Sequence, residues 1–210
     1  MVILIDNGHG QNTPGKCSPD AGLGLKDSPL YYEEWAWCRQ LARSVVDVLQ
    51  AEGYDARLIV PEDDDIPLKD RVRRVNALCS CYGDNNVILI SLHSNAGTGK
   101  TTEWQDAHGW SIYTTKGFTE SDILARDFYR QAKAVFKAPQ TVRRYSNSEW
   151  GDDFEENFYI LRNTRCPAVL IENFFHTNKV DTAYLLSNKG LGECLEVVVQ
   201  GVEDYIKGRE

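Results

Sequence analysis

The stretch VILISLHSNA (87–96) decides the fold. Val87–Leu92 lacks the polar alternation of a half-solvated strand, and such a run is buried on both faces of a parallel sheet. Further strands are expected at Val2–Asp6, Ala56–Val60, Trp110–Tyr113, Phe158–Leu161 and Ala168–Ile171. Helical periodicity fills the spaces between them. Ser28 is positioned to cap a helix with Pro29 at its first position and Glu33 and Glu34 near the first turn, running to Gly53. Leu68–Cys81, Ser121–Phe136 and Cys194–Ile206 repeat their apolar residues at helical spacing. Helices between strands imply right-handed crossovers. The expectation is one α/β domain over 1–210: a mainly parallel, twisted sheet with helices on both faces. A polar loop rich in Gly and Pro runs to about Asp27, and PEDDDIP (61–67) reads as a solvated acidic turn.

Composition narrows the function. The 210 residues are 42% hydrophobic and 26% charged, an ordinary globular mixture. Such a chain buries roughly 70% of its unfolded surface, enough for a core without disulfides. Lys and Arg number 23 against 31 Asp and Glu, a net charge of −8. That acidity argues against binding nucleic acid, which rests on clustered Lys and Arg, and against attraction to an anionic membrane. No apolar run approaches the roughly 18 residues of a membrane span. The opening MVILID has no basic region before its four-residue apolar run, so it reads as a strand and not as a signal peptide. Synthesis in a bacterial cytoplasm, with release by some other route, is the expectation. A monomer is expected. Cys17, Cys38, Cys79, Cys81, Cys166 and Cys194 contain no C-x-x-C pair; they read as reduced small apolar residues, with a disulfide framework as the alternative.

Chemistry in an open α/β sheet gathers beyond the carboxyl ends of its strands. Three strands lead there into His9, His93 and Glu172. Two of only four histidines at equivalent strand ends suggest a shared metal. On the helix ending at Gly53, Glu34 falls within about 20° of the stripe formed by Leu41, Val45 and Val48, counting about 100° per residue. A carboxylate at that angle either frays into solvent at the helix start, where the dipole favours it, or meets a cation in the core. The two histidines favour the cation. Two imidazoles and one carboxylate form a catalytic zinc set with a position left for water. Glu172, after the apolar AVLI (168–171), is placed to carry a proton, or else to pair with Arg162 or Arg165.

IDNGHG (5–10), EEWAWCRQLA (33–42), LISLHSNA (89–96) and AVLIENFFHTN (168–178), with LKDRVRRVN (68–76) before the third strand, occur in an order that spans nearly the whole chain. This combination resembles the zinc-dependent N-acetylmuramoyl-L-alanine amidases of bacterial cell walls and phage endolysins. The resemblance implies zinc on His9, Glu34 and His93, with Glu172 as catalytic acid and base. It implies hydrolysis of the amide joining N-acetylmuramic acid to L-alanine in peptidoglycan. Asn95 and Asn178 are candidates for holding the site or the substrate. Family members usually carry glycine two residues after the catalytic glutamate, where this chain has Phe174.

Two other readings compete. SNAGTGKTT (94–102) looks like a phosphate-binding loop, but Ser94 replaces its first glycine and no convincing helix follows. A non-catalytic module binding wall sugar or peptide would use Trp35, Trp104, Trp110 and Trp150 as stacking surfaces. His108 and His176 match no ligand position and read as ordinary polar residues.

Overall fold

The computed structural model describes residues 1–143 and 152–209. In chain order the elements are β1 (Val2–Asn7), α1 (Pro19–Gly22), α2 (Glu34–Ala51), β2 (Asp55–Leu58), α3 (Leu68–Tyr82), β3 (Val87–Asn95), β4 (Ser111–Thr114), α4 (Glu120–Val135), β5 (Phe154–Glu155), α5 (Tyr159–Asn163), β6 (Ala168–Phe175), α6 (Lys179–Leu185) and α7 (Asn188–Lys207). The strands form one six-stranded sheet in the order β2-β1-β3-β6-β4-β5. Every pairing is parallel except β4 against β6.

Alternation along the strands sorts the core into two layers. Ile3, Ile5, Ile88, Ile90, Leu92, Val169 and Ile171 face one way and pack under the buried stripes of α2, α4 and α7. Val2, Leu4, Val87, Leu89, Ala168 and Leu170 face the other way, against Val72, Val75 and Cys79 of α3 and Ile160 and Leu161 of α5. The α/β class with helices on both faces is therefore as the sequence indicated. None of the described helices is long and apolar enough to cross a membrane. All six cysteines are free; Cys38, Cys79, Cys166 and Cys194 are buried.

Several local expectations give way to tertiary hydrogen bonds. The second helix begins at Glu34, with extended Glu33 as its N-cap, and not at Pro29. Ser28 is turned instead toward Asp20. Ser18 ties down the approach by donating to the Leu30 carbonyl and accepting from the Tyr32 amide. Phe158–Leu161 is not a strand: Phe158 caps the short helix α5, and the edge strand lies earlier, at Phe154–Glu155. A four-residue apolar run fits either structure until its packing decides. The last helix starts at Asn188 under a Ser187 cap, upstream of the expected Cys194, because Gly190 and Gly192 mask the periodicity. The acidic turn is not simply solvated. Glu62 binds Arg74 at 2.6 Å, and Asp65 binds Arg71 at 2.9 Å.

Candidate active site

The carboxyl ends of β1 and β3 meet at a glycine. A Cβ on Gly8 would lie 2.3 Å from Cε1 of His93, so only glycine lets the first strand pass that imidazole. His9 follows with a left-handed backbone, φ +60°, an unusual state for a residue with a side chain. Arg71 of α3, almost wholly buried, stabilises this turn. Its guanidinium donates to the Asn7 carbonyl at 3.3 Å, the His9 carbonyl at 3.2 Å and Asp6 Oδ1 at 2.7 Å. The other Asp6 oxygen accepts from Ser91.

Glu34, on the first turn of α2, is 1% exposed. Its Oε1 lies 3.0 Å from His93 Nδ1 and 3.4 Å from His9 Nε2, and it accepts from the Ser94 amide at 3.1 Å. Oε2 is buried without a hydrogen bond. Burial alone would raise the Glu34 pKa, but the hydrogen bonds and charge of the two histidines hold it well below the usual carboxylate range. For His93 the opposition is mirrored: burial works to lower its pKa, and Glu34 raises it. Ligand atoms of His9, Glu34 and His93 all lie within 4.8 Å of one another. The donor set and the orphaned Oε2 both fit a divalent cation. The three sequence candidates are thus brought together, and the fraying alternative for Glu34 is not what forms.

Glu172 faces the same cluster. Its register partner on β3 is His93, and its Oε2 is buried without a hydrogen bond. Burial pushes its pKa up to about 8, with His93 pulling down and the Glu34 charge pushing up. Neither suggested arginine neutralises it. Arg165 pairs with Asp84 at 3.1 Å, and Arg162 lies over the Tyr159 ring. A carboxyl group poised near neutrality beside this cluster can accept and return a proton.

The β3–β6 register shifts between His93 and Asn95, which pair with Glu172 and Phe175. The extra residue on β6 makes a bulge, and Phe174 within it has φ +61°. Its fully buried ring packs on Phe136 and Tyr184. The bulge leaves Asn95 half-buried, donating to the Tyr113 hydroxyl at 3.5 Å. Asn178 stands further out. It accepts from the Val180 and Asp181 amides and donates to the carbonyls of Gln105 and Asp106, so it anchors the 97–108 loop.

His176 is more than an ordinary polar residue. It is 1% exposed, bonded to Ser94 through Nδ1, stacked on Tyr32 and 3.9 Å from the orphaned Glu34 oxygen. Sequence reading took it for an ordinary polar residue, because its partners Ser94, Tyr32 and Glu34 lie far away in the chain. His108 is exposed, with Nδ1 beside the Asp106 carbonyl.

The phosphate-loop reading loses its structural basis among the described residues. No helix opens after Asn95, and the loop instead folds onto Gln105, which accepts from Gly99 and donates to the Lys100 carbonyl. Trp110 is wholly buried in the core. Trp35 and Trp104 are half-buried: Arg39 lies over the Trp35 ring, and Trp104 donates to Asp20 with Lys179 over its ring. Trp150 lies outside the described residues.

Residues 3–204 match the family described as N-acetylmuramoyl-L-alanine amidase. The chain is similar to the amidase AmiC of Neisseria meningitidis serogroup B, at 26% identity over 98% of this chain and 52% of that protein. It is 25% identical to the endolysin of Bacillus phage SPP1, over 98% of this chain and 66% of that one. It therefore spans about half and two-thirds of their lengths. Among solved structures, an N-acetylmuramoyl-L-alanine amidase from Clostridium difficile 630 superimposes with a TM-score of 0.74 at 25% identity, covering 100% of this chain and 98% of that one. The catalytic domain of CwlV from Bacillus (Paenibacillus) polymyxa gives 0.76 at 21% identity, covering 98% of each, a likeness of fold.

Proposed function

The chain belongs to the N-acetylmuramoyl-L-alanine amidase family, and from that premise we propose that it hydrolyses the amide between N-acetylmuramic acid and L-alanine in peptidoglycan, with zinc as its metal. The observation that carries the reading is the approach of His9 Nε2 and His93 Nδ1 to one Glu34 oxygen, at 3.4 and 3.0 Å, beside a Glu172 carboxyl pushed up to about 8.

His9, Glu34 and His93 would hold the ion. Zinc held there would supply a water with its pKa lowered toward about 7 and a Lewis acid for the carbonyl to be attacked. Glu172 accepts the proton that the attacking water loses as its oxygen bonds to the lactyl carbonyl carbon. It then delivers that proton to the alanine nitrogen as the carbon–nitrogen bond breaks, leaving a lactyl carboxylic acid and a free amine; the acid's remaining proton passes to the amine, giving carboxylate and ammonium. Asn95, beside Tyr113, orients the substrate near this carboxyl, while Asn178 supports the loop that borders it. The proposed place of action is the cell wall.

The test is release of new L-alanine amino termini from purified peptidoglycan, with and without a zinc chelator. Termini that disappear with chelator and return with added zinc are the expected result. Sacculi of several peptide chemistries that yield none would overturn the reading in favour of binding without cleavage.

A further inference from the structure

Arg143 is anchored beside the proposed reaction centre by a built arrangement. Its amide donates to the Trp110 carbonyl at 2.7 Å, just after Val142 pairs with Trp110 in an isolated bridge. Trp110 precedes Ser111, the register partner of Glu172. Val142 packs against the layer under α2, α4 and α7, so alternation turns Arg143 to the opposite face, where Glu172 lies.

Two aromatic rings fix its side chain. The guanidinium carbon lies 5.1 Å from the Phe154 ring centre and 5.2 Å from that of Phe175. The β6 bulge is what makes this possible, because the shifted register returns Phe175 to the side of the sheet that carries Glu172. Stacked guanidinium groups retain their in-plane N–H donors. Among the described residues the other buried or half-buried arginines of this face spend theirs: Arg71 on Asp6 and Asp65, and Arg74 on Glu62. Among the described residues no carboxylate pairs with Arg143 and no acceptor takes its guanidinium hydrogens.

We propose that Arg143 is a substrate-recognition residue that binds a carboxylate of the peptide on the leaving side of the scissile amide, so that the enzyme selects acidic over amidated stem peptides. This rests on the amidase reading for the identity of the peptide. A planar guanidinium matches a carboxylate through two parallel hydrogen bonds, and a carboxamide cannot accept both. The ring clamp removes side-chain freedom before binding, so less ordering opposes association.

The experiment measures binding to zinc-loaded protein carrying Glu172→Gln, chosen to slow turnover by about 10²–10⁴-fold. The probes are a muramoyl dipeptide whose second residue ends in a free carboxylate and the same dipeptide with that group as a carboxamide. The expected preference for the acid is about 10- to 100-fold, the range for a hydrogen bond to a charged group. Adding Arg143→Gln is expected to reduce the preference to less than about twofold, and Arg143→Lys to leave an intermediate value, since charge survives without the fork. Melting curves matching the parent establish that each variant is folded; if Arg143→Gln does not fold, the lysine variant carries the comparison. Equal binding of the two probes by the parent, or an acid preference that survives removal of Arg143, overturns the proposal. Failure of the wild-type protein to cleave either probe, with an acid preference still dependent on Arg143, would overturn the amidase reading and leave Arg143 as a carboxylate-binding residue of a non-catalytic site.

Discussion

Oε1 of Glu34 lies 3.0 Å from Nδ1 of His93, although 59 residues separate them in the chain. A carboxylate from the start of a helix and an imidazole from the end of a strand meet where neither element alone would bury a charge. Glu34→Gln keeps the shape and removes the negative charge. Its zinc affinity is expected to fall by more than about 100-fold, beyond what loss of an outer hydrogen-bond partner costs. Competition against a chromophoric chelator measures this, and unchanged affinity would remove Glu34 from the ligand set.

Glu172→Gln is expected to keep zinc and lose activity by about 10²–10⁴-fold, the usual contribution of a positioned acid or base. The same variant tests its protonation in the metal-free protein. Glu172 holds its proton up to about pH 8 when folded, against an ordinary value of 4.5. The folded state therefore binds the extra proton between those values. That contribution to stability is complete below about pH 4.5 and is lost as pH rises through about 8, with a slope of at most about 1.4 kcal/mol per pH unit. Urea titrations of the chelated protein across this window should show the slope, and Glu172→Gln should flatten it.

Arg71 links stability to the geometry of His9. Arg71→Ala leaves Asp6 charged, buried and without its cation, which costs about 3–5 kcal/mol. Arg71→Lys keeps the charge but cannot reach Asp6 and the Asn7 and His9 carbonyls together. Zinc affinity for the lysine variant is expected to fall about 10- to 100-fold. A lysine variant that binds zinc as well as the parent would show that the His9 turn holds without the fork.

Phe174 sets strain against burial. Its left-handed backbone costs about 1–2 kcal/mol relative to glycine, while deleting a buried phenylalanine ring costs about 3–5 kcal/mol. Burial wins, so both truncations destabilise. Phe174→Gly also relieves the backbone, and should be the more stable of Phe174→Gly and Phe174→Ala, by about 1 kcal/mol. Denaturant midpoints decide the order, and alanine above glycine would mean the bulge carries no strain.

The amino-acid sequence by itself determined the parts governed by local pattern. The runs Val2–Asp6, Val87–Leu92 and Ala168–Ile171 read as buried strands of a parallel sheet, and they are its central members. A parallel sheet collects its strand ends on one edge, so His9, His93 and Glu172 had to come close, and helical geometry added Glu34. Tertiary structure decided what depends on contacts distant in sequence. The start of α2 followed the hydrogen bonds of Ser18 with Leu30 and Tyr32 and the donation of Ser28 to Asp20, not the Ser28-Pro29 cap pattern. The apolar run after Phe158 became a helix because Ile160 and Leu161 both found places in one layer. Arg71, His176 and Arg143 carry no local pattern that separates them from other charged or polar residues. Their environments arise from partners up to 82 residues away, as between Ser94 and His176. Such partners exist only once the sheet has brought distant segments together, where low dielectric and excluded water make each polar contact consequential.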